Sequence, residues 1–125
     1  MTTLSSSKNL ARSVLATLLL VLPVWAAAEQ TTTLTGQVLA VGSSFGNLET
    51  DIPIDRLSIE LGESFSASCN GRTVTALSSG DYADVHSGEW LGIENGSGNL
   101  QLAISFGDAS AGLSCNAGDA VTITF

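Results

Sequence analysis

Apolar and polar residues alternate with a period of two in four separate stretches of the chain. Each stretch places its apolar side chains on one face, as Phe65, Ala67 and Cys69 do in the second of them. Such alternation is typical of β-strands that bury one face, because successive side chains of a strand point to opposite sides of the sheet. The pattern therefore predicts strands at 56–61, 64–69, 99–105 and 120–125.

Turn residues separate these stretches. Asn70-Gly71 lies between "FSASC" and "RTVTAL", and both residue types tolerate the positive φ of a type I′ hairpin turn. Further glycines interrupt the chain at short intervals: Gly42, Gly46, Gly62, Gly80, Gly88, Gly96 and Gly118. A single helical turn is predicted within 108–115. Several short strands at this spacing predict an all-β fold, and we expect a small antiparallel Greek-key β-barrel.

Residues 1–28 have the pattern of a secretory signal peptide. Lys8 and Arg12 precede an apolar run at 14–25, and three alanines at 26–28 follow the run. The run has about 12 residues, fewer than the roughly 20 that span a bilayer. We predict cleavage after Ala28 and a single exported domain at 29–125, which is periplasmic or secreted; the alternative is an uncleaved membrane anchor.

The charge balance limits the partners. All twelve acidic residues follow position 28, while Lys8 and Arg12 precede it. Removal of the leader leaves Arg56 and Arg72 against twelve acids, a net charge of −10. Nucleic acids and anionic membranes are bound through patches of Lys and Arg. We therefore expect neither as a partner, and another protein or a second copy of the chain is left open.

Two cysteines, Cys69 and Cys115, lie in the predicted domain. Exported proteins meet an oxidising compartment, so a disulfide between them is expected. Cys69 is in register with Phe65 and should point inward. The alternative is two buried free thiols. Two Cys and one His are too few for a structural zinc site, and we expect no metal.

Motifs for catalysis are weak. A dinucleotide-binding fingerprint with Gly96 and Gly98 requires a third glycine at position 101, which is Gln101 here. The sequence contains no Gly-Lys pair, so it has no phosphate-binding loop of the P-loop type. His86 is the single histidine and lies in "DVHSG", which we interpret as a surface turn rather than as part of a catalytic triad. We predict no catalytic residue.

Four elements, in order along most of the predicted domain, together resemble the C-terminal β-barrel domain of the S-adenosylmethionine (SAM) hydroxide adenosyltransferases and related SAM-dependent halogenases. They are "FGNLETD" at 45–51, "YADV" at 82–85 with Gly88, "NGSG" at 95–98 with Leu100, and Gly118-Asp119 with Val121.

The resemblance implies an antiparallel barrel that supplies one wall of an adenosyl pocket. By position, Asn47 resembles the side chain that hydrogen-bonds the ligand, and Tyr82 the aromatic that packs on adenine. The backbone near Phe106 resembles the strand that contacts the adenine edge, and Asn95 and Ser97 belong to the same ligand-binding set. The implied ligand is adenosine or a molecule like SAM, with no other cofactor.

The sequence also departs from the family pattern. Ser43 stands where the family usually has an acid, Asp51 where it has Asn, and Glu49 where an apolar or aromatic residue is common. The catalytic residues of the family belong to an N-terminal domain, and here the segment in that place is the predicted signal peptide at 1–28. We therefore expect an exported, non-catalytic relative that binds a nucleoside or adenosyl ligand weakly.

Two alternative functions remain open, namely a structural or protein-interaction domain without a small-molecule site, and part of a SAM-hydrolysing enzyme completed by another chain. Alternative roles of the site residues also remain open. In these alternatives, Asn47 is a turn residue beside Gly46, Tyr82 fills the end of the barrel, and Phe106 belongs to the hydrophobic core.

Overall fold

Seven strands occur in residues 30–125, the part of the chain that the computed structural model describes. They are β1 (Thr33–Val41), β2 (Leu48–Pro53), β3 (Ser64–Cys69), β4 (Arg72–Ser78), β5 (Trp90–Glu94), β6 (Asn99–Ile104) and β7 (Ala120–Thr124). The strands close into a barrel in the order β1-β2-β6-β5-β4-β3-β7, and β7 pairs with β1. The predicted all-β barrel is confirmed, while the predicted signal peptide at 1–28 lies outside the described residues.

Three short helical segments connect the strands. Two are 3₁₀ turns, Ile54–Arg56 and Tyr82–Asp84, and the third is the α-helix α1 (Ala109–Leu113), which lies within the helical turn predicted at 108–115. The Asp108 side chain caps α1 by accepting a hydrogen bond from the Ala111 N–H at 3.0 Å. No helix within residues 30–125 has the length and apolar character that crossing a membrane requires.

Three of the four strands predicted from alternation are present as β3, β6 and β7. The predicted strand at 56–61 is wrong, because Arg56 ends the 3₁₀ turn and residues 57–61 belong to the loop that leads to β3. Leu57 is buried but Leu61 is 72% exposed, so the alternating residues do not share one buried face. The segment instead closes a local turn, in which the Glu63 N–H donates to the Glu60 carbonyl at 3.1 Å.

The hairpin between β3 and β4 confirms the prediction made for Asn70-Gly71. Asn70 has φ of 50° and Gly71 has φ of 81°, which fit a type I′ turn. The strands pair in continuous register from Ser64 with Leu77 to Cys69 with Arg72. The Asn70 amide also donates to the Ser114 carbonyl at 2.8 Å, so the hairpin tip is tied to the segment that follows α1.

The barrel interior is filled by aliphatic side chains from all parts of the sheet. Leu48, Leu100, Leu102 and Ile123 are fully buried at its centre. Thr50 is the fully buried polar residue among them, and its hydroxyl donates to the Leu100 carbonyl at 2.7 Å. A buried hydroxyl without a partner would destabilise the core, so this hydrogen bond explains how Thr50 is accommodated.

A disulfide joins Cys69 at the end of β3 to Cys115 between α1 and β7. Both cysteines are buried and their Cα atoms are 5.9 Å apart. The predicted pairing and the inward position of Cys69 are therefore confirmed. In the loop-entropy view, a cross-link over 46 positions stabilises the fold by about 4 kcal/mol, since it constrains the unfolded chain.

The pairing of β4 with β5 is parallel, whereas every other pairing in the described barrel is antiparallel. Parallel neighbours require a connection that returns along the sheet. Segment 79–89 makes this crossover. It is anchored at its ends by hydrogen bonds from the Ser79 N–H to the Gly92 carbonyl at 2.9 Å and from the Ser105 N–H to the Glu89 carbonyl at 3.0 Å.

The crossover covers part of the outer face of the barrel. Leu91 and Ala103 are cross-strand neighbours on β5 and β6, both with 0% exposure. Neither belongs to the cluster that fills the interior, to which the adjacent Leu102 belongs. Because side chains alternate along a strand, Leu91 and Ala103 point outward and are buried beneath the crossover. This second small apolar layer holds segment 79–89 against the barrel.

Candidate functional site

A cavity of about 320 Å³ on the barrel surface collects three of the residues predicted for the ligand site. It is lined by Phe45, Asn47, Tyr82, Ile104, Ser105 and Phe106. These residues come from three segments, namely the loop between β1 and β2, the crossover, and the end of β6 with the turn that follows it. Convergence of separate segments on one apolar hollow is typical of a small-molecule site.

The loop between β1 and β2 presents Phe45 and Asn47. It is closed by hydrogen bonds from the Gly42 N–H to the Asn47 carbonyl and from the Gly46 N–H to the Gly42 carbonyl, each 2.9 Å long. Gly46 has a φ of 65°, and a Cβ there would collide with the Asp108 carboxylate. Only glycine meets both conditions, so Gly46 fixes the position of its two neighbours.

Tyr82 is brought to the cavity by the crossover. Its 3₁₀ turn is capped by Asp81, whose side chain accepts from the Ala83 N–H at 3.0 Å. The Tyr82 hydroxyl accepts two hydrogen bonds, from the Asn47 amide at 3.1 Å and from the Gln101 amide at 2.7 Å. The ring is 40% exposed, so Tyr82 is a surface residue of the cavity and not a plug inside the barrel.

Two carbonyl acceptors, two amide N–H groups and one O–H group remain available in this network. A neutral amide carries one carbonyl oxygen and one NH₂ group, and a phenol both donates and accepts. Asn47 and Gln101 each direct one N–H at the Tyr82 oxygen, so the two amide oxygens, the second N–H of each amide and the Tyr82 O–H proton are left for other partners. The arrangement can therefore bind a polar edge that offers both donors and acceptors.

Phe106 follows β6 and closes a tight turn in which the Gly107 N–H donates to the Ile104 carbonyl at 3.1 Å. Its φ is 54°, a left-handed conformation that a bulky side chain rarely adopts. The residue is 94% exposed, so it is not part of the core. Within residues 30–125 neither its N–H nor its carbonyl has a backbone hydrogen-bond partner.

Asn95 and Ser97 lie in the turn between β5 and β6 and do not line the cavity. The Asn95 carboxamide oxygen accepts from the Ser97 N–H at 2.9 Å and from the Asn99 N–H at 3.0 Å. This turn precedes β6, whereas Phe106 follows the end of β6. The turn and Phe106 are therefore separated by the length of the strand, about 20 Å for six residues at roughly 3.4 Å per residue. The structure does not bring these two predicted site residues together with the other three.

Gln101 was not among the predicted site residues. It projects from the outer face of β6 between the buried Leu100 and Leu102, and its cross-strand neighbour on β2 is Glu49. A single outward polar residue in a strand is ordinary, so the alternation of "NLQLAI" gives no sign of its contact with Tyr82. The contact depends on the crossover, which brings Tyr82 over β6.

The chemistry of the cavity lining is limited. Among the described residues that line it there is no carboxylate, imidazole, thiol or cation. His86 lies on the surface in the crossover, as predicted, and its backbone N–H donates to the Glu89 side chain at 2.8 Å. Arg56 lines a different cleft, beside 33–35 and 51–53, and the Arg72 guanidinium donates to the Gly112 carbonyl at 3.3 Å.

The described residues also bring Cys69, Cys115 and Asp119 within 4.8 Å of one another. The two sulfur atoms form the disulfide. The Asp119 carboxylate accepts hydrogen bonds from the Asn70 amide at 3.0 Å and the Asn116 N–H at 2.9 Å. This cluster is therefore a structural brace, and its cysteines offer no thiolate ligand.

Two solved structures share this fold. An uncharacterized conserved protein from Thermotoga maritima is 32% identical over 73% of this chain and 35% of its own, with a TM-score of 0.69. A conserved hypothetical protein from Thermus thermophilus is 25% identical over 71% of this chain and 34% of its own, with a TM-score of 0.53. The chain thus spans about a third of the length of each. No curated protein matches it.

A family model described as the SAM hydroxide adenosyltransferase C-terminal domain matches residues 36–122, which run from within β1 to within β7 and include every residue that lines the cavity. The resemblance inferred from the four sequence elements is therefore confirmed. The chain belongs to the SAM hydroxide adenosyltransferase C-terminal domain family.

Proposed function

We propose that this protein is an exported, non-catalytic β-barrel domain that binds a nucleoside or adenosyl ligand weakly at the cavity formed by Asn47, Tyr82 and Phe106. The observation that carries the proposal is the hydrogen bond of 3.1 Å between Asn47 and Tyr82, which are 35 positions apart in the chain. This contact lies at a hollow of 320 Å³, near the lower end of the size range of small-molecule sites.

The groups around the cavity suit a purine nucleoside. Phe45 and Phe106 present exposed rings, and aromatic rings stack on the flat faces of bases. The N–H and carbonyl of Phe106 offer one donor and one acceptor, which is the complement of an adenine edge. The free amide oxygen of Asn47 and the O–H of Tyr82 can bind the sugar hydroxyls.

Two features support a binding role without chemistry. The cavity lining in the described part of the chain supplies no general base, nucleophile or metal ligand of the usual kinds. The cavity is also open, since Phe45 and Phe106 are 69% and 94% exposed, so bound ligand would stay in contact with water. Hydrolysis of SAM by the purified protein alone would contradict this part of the proposal.

Export is supported by two independent features. The leader pattern at 1–28 is that of a secretory signal, and the described domain contains a disulfide of wide sequence separation. Disulfides persist in oxidising compartments such as the periplasm and the cell exterior. Fractionation of producing cells tests this, and recovery of the protein in the cytoplasm with two titratable thiols would contradict export.

Calorimetric titration with adenosine and with SAM tests the binding function. We expect a dissociation constant between micromolar and millimolar for at least one of the two, and a loss of about tenfold or more in Asn47→Ala, since its amide contacts the site directly. Asn116→Ala, which removes an exposed amide after α1, is the matched control and should leave affinity unchanged. Absence of heat at millimolar ligand, or equal affinity in Asn47→Ala, rejects the proposal.

A protein-interaction domain is the second candidate, and the exposure of Phe45 and Phe106 favours it. Exposed aromatic side chains grouped at one place often mark a surface that another protein covers. In this case Phe45→Ser with Phe106→Ser would abolish recovery of a co-purifying protein from native extract, while ligand titrations of the wild type would be silent. The same surface could also be covered by a second protein chain that completes an enzyme. In that case a mixture of the two chains would hydrolyse SAM, and this chain alone would not.

A further inference from the structure

We propose that the cavity discriminates by charge, accepting uncharged or cationic nucleosides and rejecting phosphorylated ones, and that Glu49 is the residue that sets this preference. The inference rests on the proposed nucleoside site and specifies which class of ligand it takes.

Glu49 lies beside the cavity on the outer face of the barrel. In β2 the neighbouring Leu48 and Thr50 are buried, so the side chain of Glu49 projects outward, as that of Asn47 does two positions earlier. Its cross-strand neighbour is Gln101, whose amide donates to the Tyr82 hydroxyl at 2.7 Å. Glu49 is thus next to two of the three residues that form the polar network of the site.

A second carboxylate flanks the same wall. Asp108 packs against the Cα of Gly46, between Phe45 and Asn47, and it is held there because it also caps α1. Residues 30–125 contain two arginines, Arg56 and Arg72. Arg56 lines a different cleft and Arg72 donates to the Gly112 carbonyl, and neither forms a hydrogen bond with Glu49 or Asp108. The rim of the cavity therefore carries negative charge that neither arginine of the described residues neutralises.

The rest of the molecule adds to this local field. Residues 30–125 carry eleven carboxylates and two arginines, a net charge of −9 with His86 neutral. Phosphate-binding sites ordinarily use Arg, Lys or a helix N-terminus, and the lining of this cavity has none of them. A phosphate on the ligand would meet a repulsion that no cationic side chain of the lining offsets, whereas a cationic group would be attracted.

Three ligands that share one base and one sugar isolate the charge. Adenosine is neutral, adenosine 5′-monophosphate carries about two negative charges at pH 7.5, and 5′-amino-5′-deoxyadenosine is largely cationic. At low ionic strength we expect the monophosphate to bind about tenfold more weakly than adenosine, and the amine at least as tightly. In 0.5 M NaCl the difference should shrink to about threefold or less, because salt screens exposed charges.

Glu49→Lys tests the residue. We expect it to tighten binding of the monophosphate about tenfold and to leave adenosine within about twofold. Glu60→Lys makes the same change of net charge in the loop between the first 3₁₀ turn and β3, so it controls for the overall field and should change either affinity less than about threefold. If the lysine disturbs the fold, Glu49→Gln replaces it as the test, because glutamine has nearly the same shape as glutamate but no charge. It should tighten binding of the monophosphate by less than the factor of about ten expected for lysine.

The outcomes separate this inference from the function on which it rests. If none of the three ligands binds, the nucleoside site itself is rejected and the charge preference with it. If adenosine binds and the monophosphate binds equally well or better at low salt, the site stands and the charge preference is overturned. If Glu49→Lys and Glu60→Lys have the same effect, the preference belongs to the whole molecule and the role of Glu49 is overturned.

Discussion

The two turns at the ends of β6 contrast sharply, although both contain residues that the family resemblance marks for ligand binding. In the turn before β6, the Asn95 side chain accepts two backbone hydrogen bonds and holds the loop together. In the turn after it, Phe106 is strained, 94% exposed and without a backbone partner among the described residues. The first turn uses its polar groups internally, and the second leaves its groups free.

The contrast distinguishes structural from functional residues in this barrel. A group that already has its hydrogen-bond partners gains little from a ligand, because binding would have to replace an existing contact. An exposed aromatic ring gains stabilisation when a partner covers it, and a strained backbone conformation occurs more often at functional sites than elsewhere. Under the proposed function, the end of β6 at Phe106 is therefore the ligand-facing end, whereas the side chain of Asn95 and the backbone of Ser97 hold their own turn together.

The largest expected effect tests how tightly the loop beside Phe106 is built. Gly46→Ala introduces a Cβ at a φ of 65° against the Asp108 carboxylate, and should lower the free energy of unfolding by about 3 kcal/mol. Gly98→Ala, in the turn before β6, has a φ of 81° but no heavy atom closer to the added Cβ than 3.8 Å, so about 1 kcal/mol is expected. Urea denaturation measures both, and equal losses would show that crowding at Gly46 is unimportant.

An intermediate effect tests the structural role of Asn95. Asn95→Ala removes the acceptor of two backbone N–H groups and should lower the free energy of unfolding by about 1–2 kcal/mol, with adenosine affinity unchanged. Ser97→Ala is the control, because only the backbone of Ser97 takes part in the turn, and it should change stability by less than about 0.5 kcal/mol. A loss of ligand affinity in Asn95→Ala without loss of stability would reverse the assignment of the two turns.

The smallest effect on stability, and the most diagnostic, is that of Phe106→Gly. Glycine adopts a φ of 54° without steric cost, so stability should rise by up to about 1 kcal/mol. Adenosine affinity should nevertheless fall about tenfold, because a stacking ring is lost. Thermal denaturation with and without adenosine measures both, and a variant that gains stability and keeps its affinity would show that the ring has no part in binding.

The sequence allowed prediction of those features that depend on neighbouring residues. The Asn70-Gly71 hairpin, the strands at β3, β6 and β7, the helical turn at 108–115 and the inward Cys69 follow from local pattern alone. The segment 56–61 has the same alternation but folds as a loop, since no neighbouring strand pairs with it. Periodicity shows that a segment could form a strand, and only the tertiary partners decide whether it does.

The candidate site was predicted in part. Asn47, Tyr82 and Phe106 were assigned from the family resemblance, and the structure places all three around one cavity. Gln101 and the position of Glu49 beside it were missed, because they depend on the antiparallel pairing of β2 with β6 and on the crossover that brings Tyr82 over β6. Strand order is a non-local property, and nothing in the alternation of a single strand encodes it.

The crossover at 79–89 also has a consequence for how this protein can diversify. It rests on an outer layer of the barrel, is fastened at its two ends, and contributes nothing to the sealed interior. Its length and its exposed positions can therefore vary without a change in the sealed interior, provided that Leu91 and Ala103 stay covered. Under the proposed function, the position of Tyr82 at the cavity can in this way be altered without repacking the core.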